Sequence, residues 1–228
     1  MNFNLNAREE ISLDLKGTIA VDSARELLPA GLDPLVVNEI TPVCLQLAHV
    51  ERINWDMAPF IKMHFDKALW HIGVTFGDKK GWYLAVCELN QPFIRHMSNA
   101  FFRYPVRDAN FTFMEKRKSL VTHHQPDTGG EMRCHIELGT DELPPEPIRP
   151  FYIKRKGGIH EIEVKEETPA FCRLSKADII KDEISREIFG YPVEWEKNCY
   201  VYRGRTLIWE DITTQLIALE QETNTHVK

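Results

Sequence analysis

The chain has 228 residues, of which 43% are hydrophobic and 27% are charged, and 34 acidic residues outnumber 28 lysines and arginines. This composition excludes disordered, collagen-like and low-complexity proteins, and its acidic balance argues against a nucleic-acid partner, which would require a basic surface. No apolar run approaches the roughly 20 residues that cross a bilayer, so no membrane partner is expected. The N-terminal residues lack a basic segment followed by an apolar stretch, so no secretory signal is predicted.

Five cysteines are spread along the chain, at Cys44, Cys87, Cys134, Cys172 and Cys199. Their odd number, wide spacing and lack of a C-x-x-C pair argue against a disulfide framework and against a thiolate zinc site. Several have apolar neighbours, where a free cysteine behaves as a small hydrophobic residue. Unpaired thiols are typical of a reducing compartment, so we predict a cytoplasmic protein.

The first half of the chain predicts strands separated by short turns. Residues 7–20 alternate loosely, and residues 21–29 predict a short helix that ends at a proline. Residues 43–50 predict a buried strand. Residues 70–76 and 81–89 predict two paired strands, because the residues between them have turn chemistry.

The second half continues in the same way. Residues 110–124 form a long extended pattern that returns over 131–138, and the segments on either side of Gly157-Gly158 predict a hairpin. Three further elements are predicted: a helix from Ser175 to Phe189, a hairpin over 200–208 that turns at Gly204, and a helical tail over 211–220.

Many strands joined by turns, with a few peripheral helices, predict an α+β fold built on an antiparallel barrel or sandwich. A proline-rich stretch at residues 143–150 is too short to be a flexible linker between domains. Residues 1–228 are therefore expected to form a single domain.

The common catalytic motifs are absent from the sequence. It has no phosphate-binding G-x-x-x-x-G-K-[ST] loop, no G-x-G-x-x-G after a strand, no H-E-x-x-H zinc motif and no G-x-S-x-G nucleophile motif. His123 and His124 approach His135 if their strands pair, but adjacent residues on a strand point to opposite faces. At most one of the two can enter any site, so no metal site is predicted.

A charged run at residues 115–118 lies inside the long extended segment. By the period of two, Glu115 and Arg117 share a face with Phe111 and Phe113. Two interpretations stay open. The run is either a solvated strand edge that resists aggregation, or it sends Glu115 and Arg117 into a cavity, where each charge needs the other.

The most informative stretch contains Lys80-Gly81-Trp82-Tyr83-Leu84, then Asn90-Gln91-Pro92, then Tyr104-Pro105-Val106-Arg107. In order and spacing it resembles the acetoacetate decarboxylase superfamily, whose members carry a K-G-x-Y-L strand, a turn with a proline and a Y-P-K-K sequence. The short helix that ends at Pro29 and the strand Val74-Thr75-Phe76 match as well. The resemblance covers about half of the chain, and none is found after Pro126.

This resemblance implies a closed antiparallel β-barrel or cone around an apolar cavity, with a few peripheral helices and often an oligomeric assembly. Decarboxylases of the superfamily use no cofactor. A buried lysine forms a Schiff base with a β-keto acid, and the protonated imine accepts the electrons of the departing carboxylate. A small organic acid is the expected partner, and a homo-oligomer the expected assembly.

The chain departs from this pattern at the residues that would carry the chemistry. The position of the nucleophilic lysine is Val106, which has no amine and cannot form a Schiff base. The second basic position is Arg107, whose guanidinium stays protonated but can hold a carboxylate. The superfamily's catalytic carboxylate corresponds to Lys67, and its N-terminal arginine to Arg8.

The candidate catalytic residues are therefore Arg107 and Lys67, and the candidate substrate-binding residues are Arg8, Tyr104 and Glu115. Arg107 is expected to face the cavity and bind a carboxylate, unless Glu115 or another acid already pairs with it. Lys67 is either a relocated amine facing the same cavity or an exposed lysine in a loop before a strand. Tyr104 is expected at the cavity mouth or wall.

Several functions fit these residues. One is a cofactor-free, lyase-type enzyme of this superfamily acting on a keto acid or another small carboxylate; the alternative is a non-catalytic barrel that binds the same ligands. A third is a barrel packed shut, which only supports interactions. The aromatic residues expected to line or fill it are Trp70, Tyr83, Phe101, Phe102, Phe111 and Phe113. In every case Val106 argues against decarboxylation of acetoacetate by the superfamily's mechanism.

Overall fold

The computed structural model describes residues 5–55, 58–99, 106–144, 149–155, 158–168 and 171–219. The strands are β1 (Leu5–Ala20), β2 (Asp33–Pro34), β3 (Ile40–Trp55), β4 (Ala58–Phe76), β5 (Lys79–Leu89), β6 (Val106–Lys116), β7 (Ser119–Pro126), β8 (Met132–Glu137), β9 (Glu142–Leu143), β10 (Phe151–Arg155), β11 (Gly158–Thr168), β12 (Phe171–Asp182) and β13 (Glu194–Leu219). The helices are α1 (Val21–Leu27), α2 (Pro92–Met97) and α3 (Ser185–Phe189). Most of the described residues lie in strands, which confirms the predicted mostly-β class.

The strands form one hydrogen-bonded sheet that closes on itself in two ways. The smaller ring contains seven strands in the order β4, β3, β1, β13, β11, β10 and β5, and it closes because β5 also pairs with β4. The larger ring has nine strands, because it leaves β13 for β12 and returns through β8, β7 and β6 to β5. The long β13 serves both rings, since it pairs with β12 near its start and with β11 towards its end. The predicted closed barrel is confirmed.

Two contacts depart from the antiparallel pattern. Strand β5 pairs in parallel with β10, where Trp82 lies opposite Phe151, and in parallel with β6, where Cys87 lies opposite Val106. Parallel neighbours need a crossover connection rather than a tight turn. The segment that contains α2 supplies this crossover between β5 and β6.

The strands β1, β3 and β4 bury both of their faces. One face packs Leu13, Leu45 and Trp70 into the core of the larger ring. The opposite face packs Val50 and Leu69 into a second core, inside the smaller ring. Strands covered on both sides have nearly continuous apolar runs in their sequence. This explains why residues 43–50 read as a buried strand rather than an alternating one.

A register shift in β1 decides which of its polar residues face the smaller ring. The pairing of β1 with β3 shifts by one residue between Glu9 and Ile11. An extra residue of this kind reverses the alternation of side chains along the strand. As a result Glu9 and Ser12, three residues apart, are both buried on the inward face, at 0% exposure each.

Several sequence predictions match the structure. The short helix before Pro29 is α1, the paired strands on either side of Gly77 are β4 and β5, and the hairpin over residues 151–165 is β10 with β11. The extended segment and its return are β6, β7 and β8. In each case the turn residues and the apolar pattern predict the same element, and tertiary packing is consistent with that local preference.

Three predictions in the second half are wrong. Residues 175–182 belong to strand β12, because β8 and β13 bind its two edges, and only Ser185–Phe189 is helical. Gly204 is not a turn, since β13 continues through it, and its φ of 65° marks an irregularity inside the strand. The tail predicted as a helix is strand up to Leu219, paired with β11.

None of the helices in the described ranges is long and apolar enough to cross a bilayer.

The contact between β5 and β10 helps to close the smaller ring, and a substitution at Gly81 tests it. A Cβ added at Gly81 would lie 2.5 Å from the Pro150 carbonyl oxygen and 2.5 Å from the Tyr152 ring, so Gly81→Ala must push β5 away from β10. Overpacking of this kind costs about 1–3 kcal/mol. We expect thermal denaturation to show a lower Tm for Gly81→Ala, with no comparable change for the exposed neighbour variant Lys80→Ala.

Candidate functional site

The interior of the smaller ring contains rows of polar residues that the sheet register aligns. Ser12 of β1 pairs with Ala48 of β3, and Ala48 pairs with Lys67 of β4. The adjacent row places Asp14 opposite Gln46. Paired residues project from the same face of a sheet. The register therefore directs the Lys67 and Asp14 side chains to the same enclosed space.

Glu9 and Lys67 form a buried ion pair in this space. Lys67 Nζ lies 2.7 Å from Glu9 Oε1, and the two side chains are 6% and 0% exposed. Burial alone would raise the pKa of the Glu9 carboxyl, but the nearby cations Lys67 and Arg205 more than offset burial and hold this pKa below its ordinary value. Glu9 is therefore ionised at neutral pH, and its charge is neutralised inside the protein.

Arg205 extends the pair into a cluster of three charged side chains. It is opposite Glu9 in the pairing of β1 with β13, and it is 6% exposed. Its guanidinium carbon lies 4.4 Å from the centre of the Tyr202 ring, and its Nε lies 3.4 Å from Glu166 Oε1. Among the described residues, Arg205 Nη1 has no hydrogen-bond partner. A buried guanidinium nitrogen without an acceptor is costly, so this atom is suited to meet an anion.

The irregularity at Gly204 explains how Arg205 reaches the interior. Tyr202 and Arg205 are three residues apart and both are buried, whereas a regular strand turns residues two apart to the same face. Gly204 lies between them with φ at 65°, a conformation that glycine adopts without steric cost. Arg203, on the other side of the strand, pairs with Glu115 instead.

A cavity of about 60 Å³ opens beside Arg205. A water molecule occupies roughly 10–15 Å³ by the same measure, so the cavity has room for about four to six non-hydrogen atoms. Its lining combines positive charge with aromatic rings: Asp14, Lys16, Cys44, Gln46, His71, Trp82, Arg149, Phe151, Tyr202 and Arg205. Such a cavity fits a small anion with an apolar body.

Asp14 is the carboxylate in this lining. Gln46 Nε2 donates a hydrogen bond of 3.1 Å to Asp14 Oδ1. Burial raises the pKa of the Asp14 carboxyl, although Arg205 and the Gln46 hydrogen bond act in the opposite direction. The Asp14 carboxyl is therefore easier to protonate than an exposed aspartate.

His71 is the uncharged ring in the lining. It is 3% exposed. Burial, and then the positive charge of Lys67, lower the pKa of His71 to about 3, while a hydrogen bond with the Cys44 backbone acts in the opposite direction. The ring packs 5.2 Å from Phe151 and 6.3 Å from Trp82, measured between centroids. His71 is therefore neutral across the physiological range.

Lys67 is buried inside the barrel, so it is not an exposed lysine in a loop before a strand, but it is not among the residues that line the cavity. It belongs to β4 and its side chain is 6% exposed. Leu69 of β4 lies opposite Cys87 of β5, and Cys87 lies opposite Val106 of β6. Lys67 is on the same face of β4 as Leu69. Lys67 and Val106 therefore project into the same interior from the strands on either side of β5.

The expectation that Arg107 faces the cavity is wrong. Val106 is 8% exposed and packs in the core of the smaller ring, so the alternation of β6 turns Arg107 outward. The Arg107 side chain is 43% exposed and its Nη1 lies 3.4 Å from Glu187 Oε1. The acid that pairs with it is therefore Glu187 and not Glu115.

Two other candidates are also on the outside. Arg8 is 54% exposed and contacts Glu51 at 3.2 Å, because the alternation of β1 turns Glu9, its neighbour, inward. Glu115 is exposed and lies 2.5 Å from Arg203 Nη2, so the solvated-edge interpretation of residues 115–118 is the correct one. Tyr104 lies outside the described residues, as do Phe101 and Phe102.

The predicted aromatic residues fill the larger ring rather than the cavity. Trp70 is fully buried there, and its Nε1 donates a 2.9 Å hydrogen bond to Glu88 Oε2. His124 Nε2 lies 3.0 Å from the same oxygen, and its ring stacks on Phe111 at 4.9 Å. Phe113 and Tyr83 pack against the same core. The aromatic residues that line the cavity are Trp82, Phe151 and Tyr202 instead.

Sequence reasoning missed Glu9, Asp14, His71 and Arg205. A signal existed for Glu9, because it is the neighbour of Arg8, a predicted binding residue. The sequence does not show the bulge in β1, which decides which of the two points inward. No such signal existed for Arg205, which lies where the sequence resemblance could not be traced.

Comparison with solved structures identifies the fold. The chain superposes on the enduracididine biosynthesis enzyme MppR complexed with pyruvate, with a TM-score of 0.69 at 10% identity over 96% of this chain and 91% of that chain. An acetoacetate decarboxylase-like enzyme from Sphingomonas wittichii RW1 gives 0.65 at 13% identity over 96% and 93%. Acetoacetate decarboxylase from Legionella pneumophila subsp. pneumophila str. Philadelphia 1 gives 0.66 at 8% identity over 94% and 87%.

These likenesses show that the chain has the acetoacetate decarboxylase-like fold, which confirms the fold that the sequence motifs implied. No protein-family model matches the chain, and no curated protein matches it significantly. At such low identity a shared fold does not carry an activity from one protein to another.

Removing one member of the buried ion pair should destabilise the protein strongly. Lys67→Met leaves the Glu9 carboxylate without its closest cation, and we expect a loss of about 3–5 kcal/mol of unfolding free energy in urea denaturation. The exposed pair Arg8–Glu51 is the matched control, because Arg8→Met should cost less than about 1 kcal/mol. If the double variant Glu9→Gln/Lys67→Met lost the full sum of the two single losses, the pair would not be coupled.

The buried neutral ring of His71 predicts a pH dependence of stability. Its pKa is about 3 in the folded protein and about 6.5 in the unfolded chain, so between these values the unfolded chain binds one more proton. Stability therefore falls as pH falls through this window, by about 2 kcal/mol from pH 7 to pH 5 for this one group. His71→Gln should remove that slope, whereas His64→Gln, at an exposed position, should keep it; equal slopes in all three proteins would contradict the assignment.

Proposed function

We propose that this protein, which has the acetoacetate decarboxylase-like fold, binds a small organic acid inside the smaller ring of its barrel. The observation that carries the proposal is the buried Arg205, a residue that lines the cavity and whose Nη1 has no acceptor among the described residues. A ligand carboxylate would supply the missing acceptor and neutralise the charge. Of the solved structures with this fold, MppR is complexed with pyruvate, which makes pyruvate a suitable first probe.

The charge of the lining supports an anionic ligand. Lys16, Arg149 and Arg205 are cations, and Asp14 is the carboxylate that faces them from the same lining. Outside the lining, Glu9 and Lys67 neutralise each other, and Glu166 lies 3.4 Å from Arg205 Nε. With Glu166 counted beside Asp14, three cations still face two carboxylates, and an excess of cations favours an anion of the matching size.

The size of the cavity suits a short acid. Room for about four to six non-hydrogen atoms accommodates an acid such as pyruvate or propanoate. The rings of Trp82 and Phe151 give the body of such a ligand an apolar surface.

Catalysis by the superfamily's mechanism is not part of this proposal. On the sequence comparison, Val106 occupies the position of the nucleophilic lysine and has no amine. A second candidate function, a cofactor-free lyase, is supported by the buried amine of Lys67 in the same interior. However, an amine must lose its proton before it attacks a carbonyl, and a carboxylate at 2.7 Å stabilises the ammonium form. The ion pair therefore favours binding over imine chemistry.

We also propose a cytoplasmic location and keep the homo-oligomer as an expectation. The five cysteines are unpaired and buried, in agreement with a reducing compartment. Size-exclusion chromatography with light scattering measures the assembly directly, and a monomeric mass would reject the oligomer.

Thermal denaturation with added acid tests the binding proposal. At pyruvate or propanoate concentrations one hundred times Kd, we expect Tm to rise by roughly 5–10 °C. Arg205→Gln should abolish the rise in Tm. If Arg205→Gln does not fold, Arg149→Gln replaces it and should weaken the rise. Arg203→Gln is the matched control, since Arg203 is on the opposite side of β13 and pairs with Glu115. A rise that is the same in Arg205→Gln and in the unmodified protein would reject the proposal.

Borohydride trapping separates binding from imine chemistry. Incubation with pyruvate and sodium borohydride, followed by mass spectrometry, should leave the protein mass unchanged if Lys67 only pairs with Glu9. A covalent adduct mapped to Lys67, and lost in Lys67→Met, would support the lyase function instead. The trapping does not depend on tight binding, so it remains informative when no Tm shift is seen.

A further inference from the structure

Asp14 is the acidic residue in the lining of the cavity, so an anion that binds there must approach its carboxyl group. Asp14 is half-buried and shares the lining with the cations Lys16, Arg149 and Arg205. Two negative charges inside a protein repel each other more strongly than in water, because less solvent screens them. This repulsion acts through space and requires no direct contact. An acid anion therefore binds more easily when the Asp14 carboxyl is neutral.

The hydrogen bond to Asp14 is compatible with the neutral carboxyl group as well as with the ionised one. Gln46 Nε2 donates it to Asp14 Oδ1 over 3.1 Å. In a protonated carboxyl group the carbonyl oxygen still accepts a hydrogen bond, and the proton lies on the other oxygen, here Oδ2. Asp14 can therefore gain a proton without losing its bond to Gln46.

The other charged groups near Asp14 offer no site for an additional proton. The cations of the lining already carry theirs at neutral pH. Glu9 lies 2.7 Å from Lys67, and despite burial Lys67 and Arg205 hold the pKa of the Glu9 carboxyl below its ordinary value. Glu166 likewise has a cation beside it, since it lies 3.4 Å from Arg205 Nε. These two carboxylates therefore stay ionised when an anion enters.

The titratable groups around Asp14 that carry no charge are Cys44, His71, Cys199, Tyr200 and Tyr202. A nearby anion favours the neutral form of a thiol or a phenol, so the cysteines and tyrosines keep their protons. His71 is able to gain a proton, but burial lowers its pKa to about 3, whereas burial raises the pKa of the Asp14 carboxyl. Asp14 is therefore protonated before His71 as the pH falls.

We propose that the cavity takes up a proton with each acid anion that binds, and that Asp14 holds this proton. The inference rests on the proposed function and adds how pH regulates the same site. Because the bound anion strengthens proton binding at Asp14, the proton strengthens anion binding by the same factor. The affinity for the acid therefore rises as the pH falls, by at most about tenfold per pH unit for one proton.

The experiment measures pyruvate binding from pH 7.5 down to pH 5.5, a range in which pyruvate itself stays ionised. Isothermal titration calorimetry gives Kd, and a pH-stat measures the protons taken up when pyruvate is added to the unbuffered full-length protein. We expect Kd at pH 5.5 to be at least about fivefold lower than at pH 7.5, with uptake of up to about one proton per site.

Two variants assign the proton. Asp14→Asn keeps the acceptor for Gln46 but cannot ionise, so we expect its Kd to change by less than about twofold over this range, without proton uptake. Glu115→Gln is the matched control, because Glu115 is exposed on the outside of the barrel and pairs with Arg203. It should keep the full pH dependence.

The outcomes separate this inference from the proposed function. Pyruvate binding with the same Kd at every pH would overturn the proton uptake and would still support the acid site. A pH dependence that survives in Asp14→Asn would overturn the assignment to Asp14, and its loss in His71→Gln would transfer the proton to His71. If pyruvate does not bind at any pH, the proposed function and this inference both fail.

Should Asp14→Asn not fold, NMR of the unmodified protein decides the question. The ¹³C chemical shift of the Asp14 carboxyl carbon follows the ionisation of this one group. Saturating pyruvate should raise the midpoint of its titration by at least about 0.7 pH units, which corresponds to the fivefold change in Kd. An unchanged midpoint would reject the proposal.

Discussion

Enclosure of charge is the constraint on which the arrangement of this barrel depends. Glu9, Lys67 and Arg205 are all almost completely buried, and each ion would be too costly inside the protein without an opposite charge nearby. Glu9 faces the two cations, and Glu166, 3.4 Å from Arg205, supplies the second negative charge. Bringing these side chains together fixes the register of β1 against β3 and β13. The bulge after Glu9 and the irregularity at Gly204 are local departures from regular strand geometry that make this convergence possible.

The two-ring architecture explains how such a polar interior coexists with a stable fold. Strands β1, β3 and β4 give one face to the larger ring, where Trp70, Leu13 and Leu45 form an apolar core. Their other face encloses the ion cluster and the cavity. Burial of apolar area stabilises both rings, because the smaller ring also has an apolar core around Val50 and Leu69. The ion cluster and the cavity are therefore accommodated beside a packed core, which is a common arrangement at binding sites.

The larger ring has a buried polar group of its own. Glu88 accepts a hydrogen bond from Trp70 and lies 3.0 Å from His124, within a closely packed aromatic core. Buried atoms without a hydrogen-bond partner among the described residues occur in both rings: Glu88 Oε1 and His124 Nδ1 in the larger one, and Arg205 Nη1 and His71 Nε2 in the smaller one. The smaller ring differs in having a cavity lined by Arg205 and His71.

The sequence determined the class of the fold, because its turn signals and apolar runs specify strands β4, β5, β10 and β11 locally, and an ordered set of motifs implied the barrel. It also marked Lys67 as a candidate. Tertiary structure alone decided which neighbour faces inward: Glu9 rather than Arg8, and Val106 rather than Arg107. Side chains alternate with a period of two, so one bulge or one residue of register reverses the assignment. Arg205 joins the site only through long-range strand pairing, which no local pattern encodes.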